Sequence, residues 1–174
     1  MTEVQVRDAA TVMLVRDGDD GLEVFMLRRN LDSAFVAGAY VFPGGAVDPE
    51  DADDPLLDEL CVGRTDPDAS RSLGVERGGL AYWVAAIRES FEEAGVLLAH
   101  TPGGEFVSFA ESDVEERFAD HRVAVDAGRV RLAEVCRAEG LTLAVAELHY
   151  FSHWITPKGP PRRYDTRFFV CRAP

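Results

Sequence analysis

No apolar run in this 174-residue chain approaches the roughly 20 residues that a membrane-spanning helix needs. The opening MTEVQVRDAA is too polar for a secretory leader. Cysteine is scarce and odd in number: Cys61, Cys136 and Cys171 form no CxxC pair, which favours free structural thiols and a reducing cytoplasm over a disulfide framework. Lysine is nearly absent, Lys158 being the one exception among 18 basic residues. With 31 acids the net charge is −13, which argues against a nucleic-acid polymer as partner, since phosphate backbones demand a basic surface. A small anionic ligand stays compatible if metal ions and a few local arginines meet its charge. Also missing are a GxSxG nucleophile turn, a Walker-type phosphate loop, a Cys/His pair and any internal repeat. His149 and His153 have the spacing of a helical metal pair, but they stand in a β-like run where residues four apart lie about 13 Å from each other.

The hydrophobic content of 47% supplies the core of one globular domain, residues 1–174. Residues 10–16 and 22–28 are β-rich runs around DGDDG and predict a hairpin. A loop over 30–37 leads to a strand over 38–42, which ends in a Pro43-Gly44-Gly45 turn. Residues 49–79 are crowded with acid at their start and predict a surface excursion with one short helix near 56–62. A helical stretch capped by Ser112 or Asp113 runs to about 139 with a break near 126–128. Strands are expected at HYFSHWI (149–155) and over 164–171, joined by TPKGPPRR. Tyr164 and Trp154 read as core aromatics, with base stacking as the alternative.

The chemistry concentrates in residues 80–96, LAYWVAAIRESFEEAGV. Leu80, Trp83, Val84, Ile87, Phe91 and Ala94 recur at three- and four-residue steps, so one face of a helix is apolar. Glu89, Glu92 and Glu93 share another face at the same steps. Like charges so placed repel by a few tenths of a kcal/mol per pair unless a cation sits among them. Oxygen ligands without thiolate or imidazole suit Mg2+ or Mn2+. On spacing alone, the commoner origin of such a face is a solvated surface. Gly95 ends the helix, and GVLLAH reads as a strand.

The combination of Phe42-Pro43-Gly44-Gly45 with that helix resembles the Nudix box, G-x5-E-x7-R-E-U-x-E-E-x-G-U, where U is bulky and aliphatic. Gly45, Arg88, Glu89, Glu92, Glu93, Gly95 and Val96 fill its positions. Ser90 replaces an aliphatic residue, tolerable where its hydroxyl bonds back to the preceding turn. Gly45 and Arg88 stand 43 positions apart where the pattern has 14, so the box is split by about 29 residues. Asp51 stands six after Gly45, where the pattern has its early glutamate. A split box is similar to the coenzyme A diphosphatases of peroxisomal type and their bacterial relatives. Their upstream motif, R-S-x3-R-x3-G-x3-F-P-G-G, is met by Arg29, Gly38 and residues 42–45, with Asn30 and Ala34 in place of its serine and second arginine.

The resemblance implies an α/β/α sandwich with a mixed sheet, an insertion inside the box, and a closing strand and helix that the chain lacks. Either the chain is a fragment or a partner subunit, as in a homodimer, covers the face so exposed. It further implies Mg2+ or Mn2+ held by Glu89, Glu92 and Glu93 with a backbone carbonyl at Gly44. Glu92, Glu93 and Arg88 would be the catalytic set, with Arg88 orienting the glutamates. Arg28, Arg29, Arg162, Arg163 and Arg167 would contact substrate phosphates. The reaction implied is hydrolysis of a diphosphate linkage, first in coenzyme A or acyl-coenzyme A, then in ADP-sugars or dinucleotides. A nucleotide-binding module without turnover is the competing class. The insertion is a lid or specificity element in one reading and a tolerated insert in the other.

Overall fold

A computed structural model describes residues 4–29 and 38–174. The spine is β1 (Val6–Gly18), whose apolar middle, residues 10–15, alternates between buried and half-buried positions. Its C-terminal half turns into β2 (Gly21–Val24) as an antiparallel hairpin, from Val15↔Val24 to Gly18↔Gly21. Its N-terminal half pairs antiparallel with β5 (Gly44–Ala46) on the same side. Along its other side β1 runs parallel to β9 (Arg163–Arg172), from Val6↔Arg163 to Val15↔Arg172. At the outer edge β8 (His149–Ile155) pairs antiparallel with β9, with an irregularity between Tyr150 and Ser152. Two short pairs complete the strands: β3 (Leu27–Arg28) with β4 (Tyr40–Val41), and β6 (Ala99–His100) with β7 (Thr142–Leu143).

Among the described residues six helices follow the order α1 (Glu50–Asp53), α2 (Leu57–Leu60), α3 (Asp66–Leu73), α4 (Leu80–Ala94), α5 (Ser112–Asp126) and α6 (Leu132–Ala138). The helix laid across the sheet is α4; α1, α3 and α5 pack on it, while α2 and α6 pack on each other and on β7. Ten of its fifteen residues are buried, among them Trp83, Ile87 and Phe91. They meet Ala10, Val12 and Leu14 of β1 and Phe169 and Cys171 of β9 in one core cluster. The Trp83 and Phe169 rings lie 4.6 Å apart, and the indole N–H donates to the Leu148 carbonyl at 2.9 Å. Burying each such side chain stabilises the fold by about 1.5–3 kcal/mol. The opposite face of the sheet carries Thr11 and Met13 of β1 beside Phe168 and Val170 of β9, all half-buried.

The mixed α/β architecture and the mixed sheet are as the resemblance implied, and among the described residues no helix is long and apolar enough to cross a membrane. Several local expectations are corrected. The run over 22–28 divides between two sheets, because β2 leaves β1 after Val24 and Leu27 pairs with Val41; β-propensity alone does not name the partner strand. In GVLLAH only Ala99 and His100 pair. The two glycines of Pro43-Gly44-Gly45 belong to β5 rather than to a turn. Glu111, without a side-chain cap bond, stands at the start of α5, so Ser112 is its first helical residue. The expected break in that stretch is present between α5 and α6. Trp154 is 68% exposed and Tyr164 half-buried, so neither is a core aromatic. The loop expected over 30–37, with Asn30 and Ala34, lies outside the described residues.

Residues 49–79 are no surface excursion. Leu57, Leu60, Cys61, Ala69 and Leu73 join the main core, and Asp51, Asp54 and Ser70 are buried polar groups. This segment also holds α4 in place. Asp66 accepts from Gly78 N at 3.0 Å and Leu80 N at 2.9 Å, and the Ser70 hydroxyl accepts from Gly79 N at 2.9 Å. The first amides of α4 would otherwise be orphans, and an anion there also suits the helix dipole.

Candidate active site

At its other end α4 closes on Gly95, whose φ of 69° lies in the left-handed region that favours glycine. Gly95 N donates to Phe91 O at 2.9 Å, the bond of an αL cap, and Val96 N donates to Ser90 O at 3.3 Å. Arg122 of α5 binds the last carbonyls, donating from Nε to Glu92 O at 2.8 Å and from Nη2 to Glu93 O at 3.0 Å. Both ends of the helix that carries the glutamates are therefore fixed by side chains from elsewhere in the fold.

Arg88 is the centre of the polar cluster, with its side chain only 12% exposed. Its Nε and Nη2 grip Asp51 of α1 at 3.0 Å each, and Nη2 also donates to Ala46 O at 2.8 Å. Nη1 reaches Glu89 at 2.9 Å and Glu92 at 3.0 Å. Asp48 lies 3.5 Å from the same guanidinium. One cation thus faces Asp48, Asp51, Glu89 and Glu92, an excess of negative charge in a largely buried place. Burial, reinforced by Glu92 and Glu93, pushes the Glu89 carboxyl up to about 7 against the pull of Arg88. Burial likewise raises Glu92 and Asp51.

Glycine at 44 and 45 is a steric requirement. A Cβ on Gly45 would stand 2.3 Å from Glu89 Oε1, and one on Gly44 would stand 2.5 Å from the Ala10 carbonyl oxygen. The backbone of β5 is thereby wedged between β1 and the glutamates. Gly44 N donates to Glu93 at 3.0 Å, which ties β5 to the end of α4. The same two glycines form a wall of a cavity of about 470 Å³ on the open face of the sheet. Tyr40, Phe42, Tyr164 and Phe168 give it aromatic sides, and Arg29 and Arg162 line it as well.

The expected site residues divide into groups. Arg88, Glu89, Glu92, Glu93 and Gly44 converge, and Asp51 joins them; its position six after Gly45 was the signal for it. Arg29 and Arg162 line the aromatic cavity. Arg163 is half-buried and donates from Nε to Thr156 O at 3.0 Å. Arg28 is exposed on β3. Arg167 is only 6% exposed, on the α4 side of β9, where it pairs with Asp165 and lies over the Tyr82 ring. His153 is bonded to Asp165 and His149 is exposed, so the histidines make no joint site. Ser90 is buried with no partner for its hydroxyl, contrary to the expected bond to the preceding turn.

Among the described residues no three His, Cys, Asp or Glu side chains are gathered around one point as for an ion. Glu89 and Glu92 lean on Arg88, and Glu93 leans on Gly44. The donor chemistry nevertheless fits a divalent cation: the oxygens are hard, and Glu89 carries charge that burial penalises.

A family model described as the NUDT19 Nudix domain matches residues 6–173. The acyl-coenzyme A diphosphatase NUDT19 of Gallus gallus is 30% identical to this chain over 207 residues, covering 95% of this chain and 54% of that protein. The protein of the same name in Homo sapiens is 27% identical, covering 87% and 48%. The chain spans about half the length of these curated relatives. A crystal structure of a Nudix hydrolase from Alicyclobacillus acidocaldarius superposes with a TM-score of 0.75 at 29% identity, over 99% of this chain and 72% of that one.

Proposed function

The chain belongs to the Nudix hydrolases, in the family of the NUDT19 Nudix domain, and on that footing we propose that it hydrolyses a diphosphate linkage in a nucleoside diphosphate derivative, coenzyme A or an acyl-coenzyme A before others. The observation that carries this reading is the Gly44-Gly45 strand. It is one atom layer between an aromatic cavity sized for a nucleoside and a helix face bearing three glutamates. A base fits between Tyr40, Phe42, Tyr164 and Phe168, and Arg29 and Arg162 meet phosphate oxygens in the bidentate manner open to a guanidinium. The relatives named for acyl-coenzyme A diphosphatase activity support the choice of substrate. ADP-sugars and dinucleotides are next in line, since they share the nucleoside diphosphate part.

Glu89, Glu92 and Glu93 would hold Mg2+ or Mn2+, which screens diphosphate charge and acidifies an attacking water. Arg88 keeps Glu89 and Glu92 in register through one Nη1 group, a positioning role that Asp51 shares by fixing the guanidinium from the far side. Glu93, exposed and hydrogen-bonded to Gly44 N, would accept the water's proton. The whole chain acts as one domain, with residues 49–79 bracing α4. Its buried thiols suit a reducing cytoplasm. A nucleotide-binding module without turnover is the second reading, drawn from carboxylates that engage Arg88 and Gly44 instead of one another.

Product release from coenzyme A, acyl-coenzyme A, ADP-ribose, NADH and diadenosine polyphosphates decides between these readings, with Mg2+, Mn2+ or chelator, beside Glu93→Gln. Metal-dependent cleavage of coenzyme A that Glu93→Gln abolishes is expected. Cleavage of another member alone keeps the class and removes the substrate. Tight nucleotide binding without turnover in either protein would establish the module.

A further inference from the structure

The open face of the sheet continues past the aromatic cavity into a second one of about 440 Å³, lined by Val4, Gln5, Arg7, Pro161, Arg162, Arg163 and Tyr164. Three arginines meet there and no carboxylate does, in a chain whose acids outnumber its bases by 31 to 18. Arg7 and Tyr164 are register partners across β1 and β9, so their side chains share the face that bears Thr11 and Phe168. Among the described residues the side chains of Arg7 and Arg162 have no ion-pair or hydrogen-bond partner. Arg163 spends only Nε, on Thr156 O, and Tyr164 N donates to Thr156 Oγ1, which pins the start of β9. Arg163 is the register partner of Val6 and so stands on the other side of β9 from Tyr164, at the rim of the hollow, while Arg7 and Arg162 line it without a neutralising acid; a multiply charged oxyanion resolves the repulsion between such guanidinium groups.

The order of groups along this face matters. Gly44, beside the glutamates, pairs with Thr11, and Arg7 stands four residues away on β1, about 13 Å along the strand. Aromatic side chains and then free arginines therefore follow one another along this face, starting from the β5 strand that backs onto the glutamates. A 3′-phosphorylated adenosine diphosphate presents its parts in the same sequence: diphosphate, nucleoside, then a phosphomonoester on the ribose. We propose that Arg7 and Arg162, with Arg163 at the rim, form a subsite adjoining the aromatic cavity for a ribose phosphomonoester, which selects 3′-phosphorylated nucleoside diphosphate derivatives such as coenzyme A over their dephosphorylated forms. The inference rests on the diphosphatase reading for its meaning, but the subsite itself is testable without turnover.

Two measurements on the whole chain test it. The first compares kcat/KM for coenzyme A and dephospho-coenzyme A in Mg2+, for the native protein, Arg7→Gln and Arg7→Lys. The second compares calorimetric binding of adenosine 3′,5′-bisphosphate, its 2′,5′ isomer, AMP and inorganic phosphate. The native protein is expected to favour coenzyme A at least tenfold and to bind the 3′,5′-bisphosphate at least tenfold more tightly than AMP. Arg7→Gln should bring both ratios toward one, and Arg7→Lys should recover part of each. Equal use of the two substrates, or ratios that Arg7→Gln leaves unchanged, would overturn the subsite. Tighter binding of the 2′,5′ isomer or of inorganic phosphate would overturn its assignment to a 3′-phosphate. If no diphosphate is cleaved at all, the diphosphatase reading fails, while the binding comparison still decides the subsite.

Discussion

Gly44 and Gly45 adjoin in sequence, yet replacing them with alanine should damage different properties of the protein. A Cβ at position 44 meets main chain, at 2.5 Å from Ala10 O and 2.7 Å from Thr11 Cα, and the Thr11 hydroxyl at 2.3 Å. Main-chain atoms in a strand paired on both sides do not yield, so Gly44→Ala must open the β1–β5 ladder. Overpacking of this kind costs about 3 kcal/mol at the upper end of its usual range. For a chain of this size that lowers Tm by about 6–12 °C. A Cβ at position 45 meets only the Glu89 carboxyl group, at 2.3–2.6 Å from Oε1, Cδ and Oε2. Contact requires about 3.5 Å, so Glu89 must withdraw by about 1 Å. A side-chain end can swing that far, and Gly45→Ala should cost about 1 kcal/mol, or about 2–4 °C. The same movement parts Glu89 from Arg88, now at 2.9 Å. Displacement of a site group by about 1 Å lowers turnover by about a hundredfold. Differential scanning fluorimetry beside initial rates in Mg2+ checks both variants. Native-like turnover in Gly45→Ala, or a Gly44→Ala protein no less stable than Gly45→Ala, would refute the steric reasoning.

Arg88→Met leaves Asp51, Glu89 and Glu92 without their shared cation, a loss of about 3–5 kcal/mol near pH 8. Urea denaturation should show that deficit shrinking at pH 5, where the carboxyls take up protons; a deficit independent of pH would contradict the role given to Arg88. In the native protein without divalent ions, the Glu89 carboxyl titrates at about 7 when folded against its ordinary 4.5. A raised acid keeps a proton that the unfolded chain releases, so this contribution is full below pH 4.5 and is lost as pH rises through 7. Its size is about 3 kcal/mol, and Mg2+ should restore part of it at pH 8. Urea midpoints in chelator that stay flat or climb between pH 5 and 7.5 would show that Glu89 is not so placed.

What the sequence disclosed followed from short-range periodicity. Glu89, Glu92 and Glu93 had to share a helix face once Trp83, Ile87 and Phe91 set the buried stripe, and the strands at 149–155 and 163–172 were signalled by their aromatic and β-branched runs. Contacts between distant segments left no such trace. Arg122 looks like any helical arginine until α5 is seen against the end of α4. Asp66 looks like a solvated acid until Gly78 and Leu80 bring their amides to it. The 49–79 segment read as an excursion because its acids hide a stripe of Leu57, Leu60, Ala69 and Leu73. Trp154 and Arg167 were misjudged for opposite reasons: a large aromatic proved exposed and an arginine proved buried, which composition alone does not reveal.

The parallel pairing of β1 with β9 has a consequence for the birth of the protein. Val6 bonds alongside Arg163, so β1 leaves the ribosome long before the strand it lies beside. At translation speeds of about 5–20 residues per second, that wait lasts on the order of ten seconds. Meanwhile, among the described strands, β1 has just β2 and β5 to pair with, and one side of an apolar strand stands unsatisfied. The hairpin and α4 form a nascent platform, and the late strand closes it from the side opposite β5. Slow synthesis or a stalled chain would therefore prolong exposure of the strand most able to join another molecule, making the nascent protein a natural client for chaperones that hold extended segments.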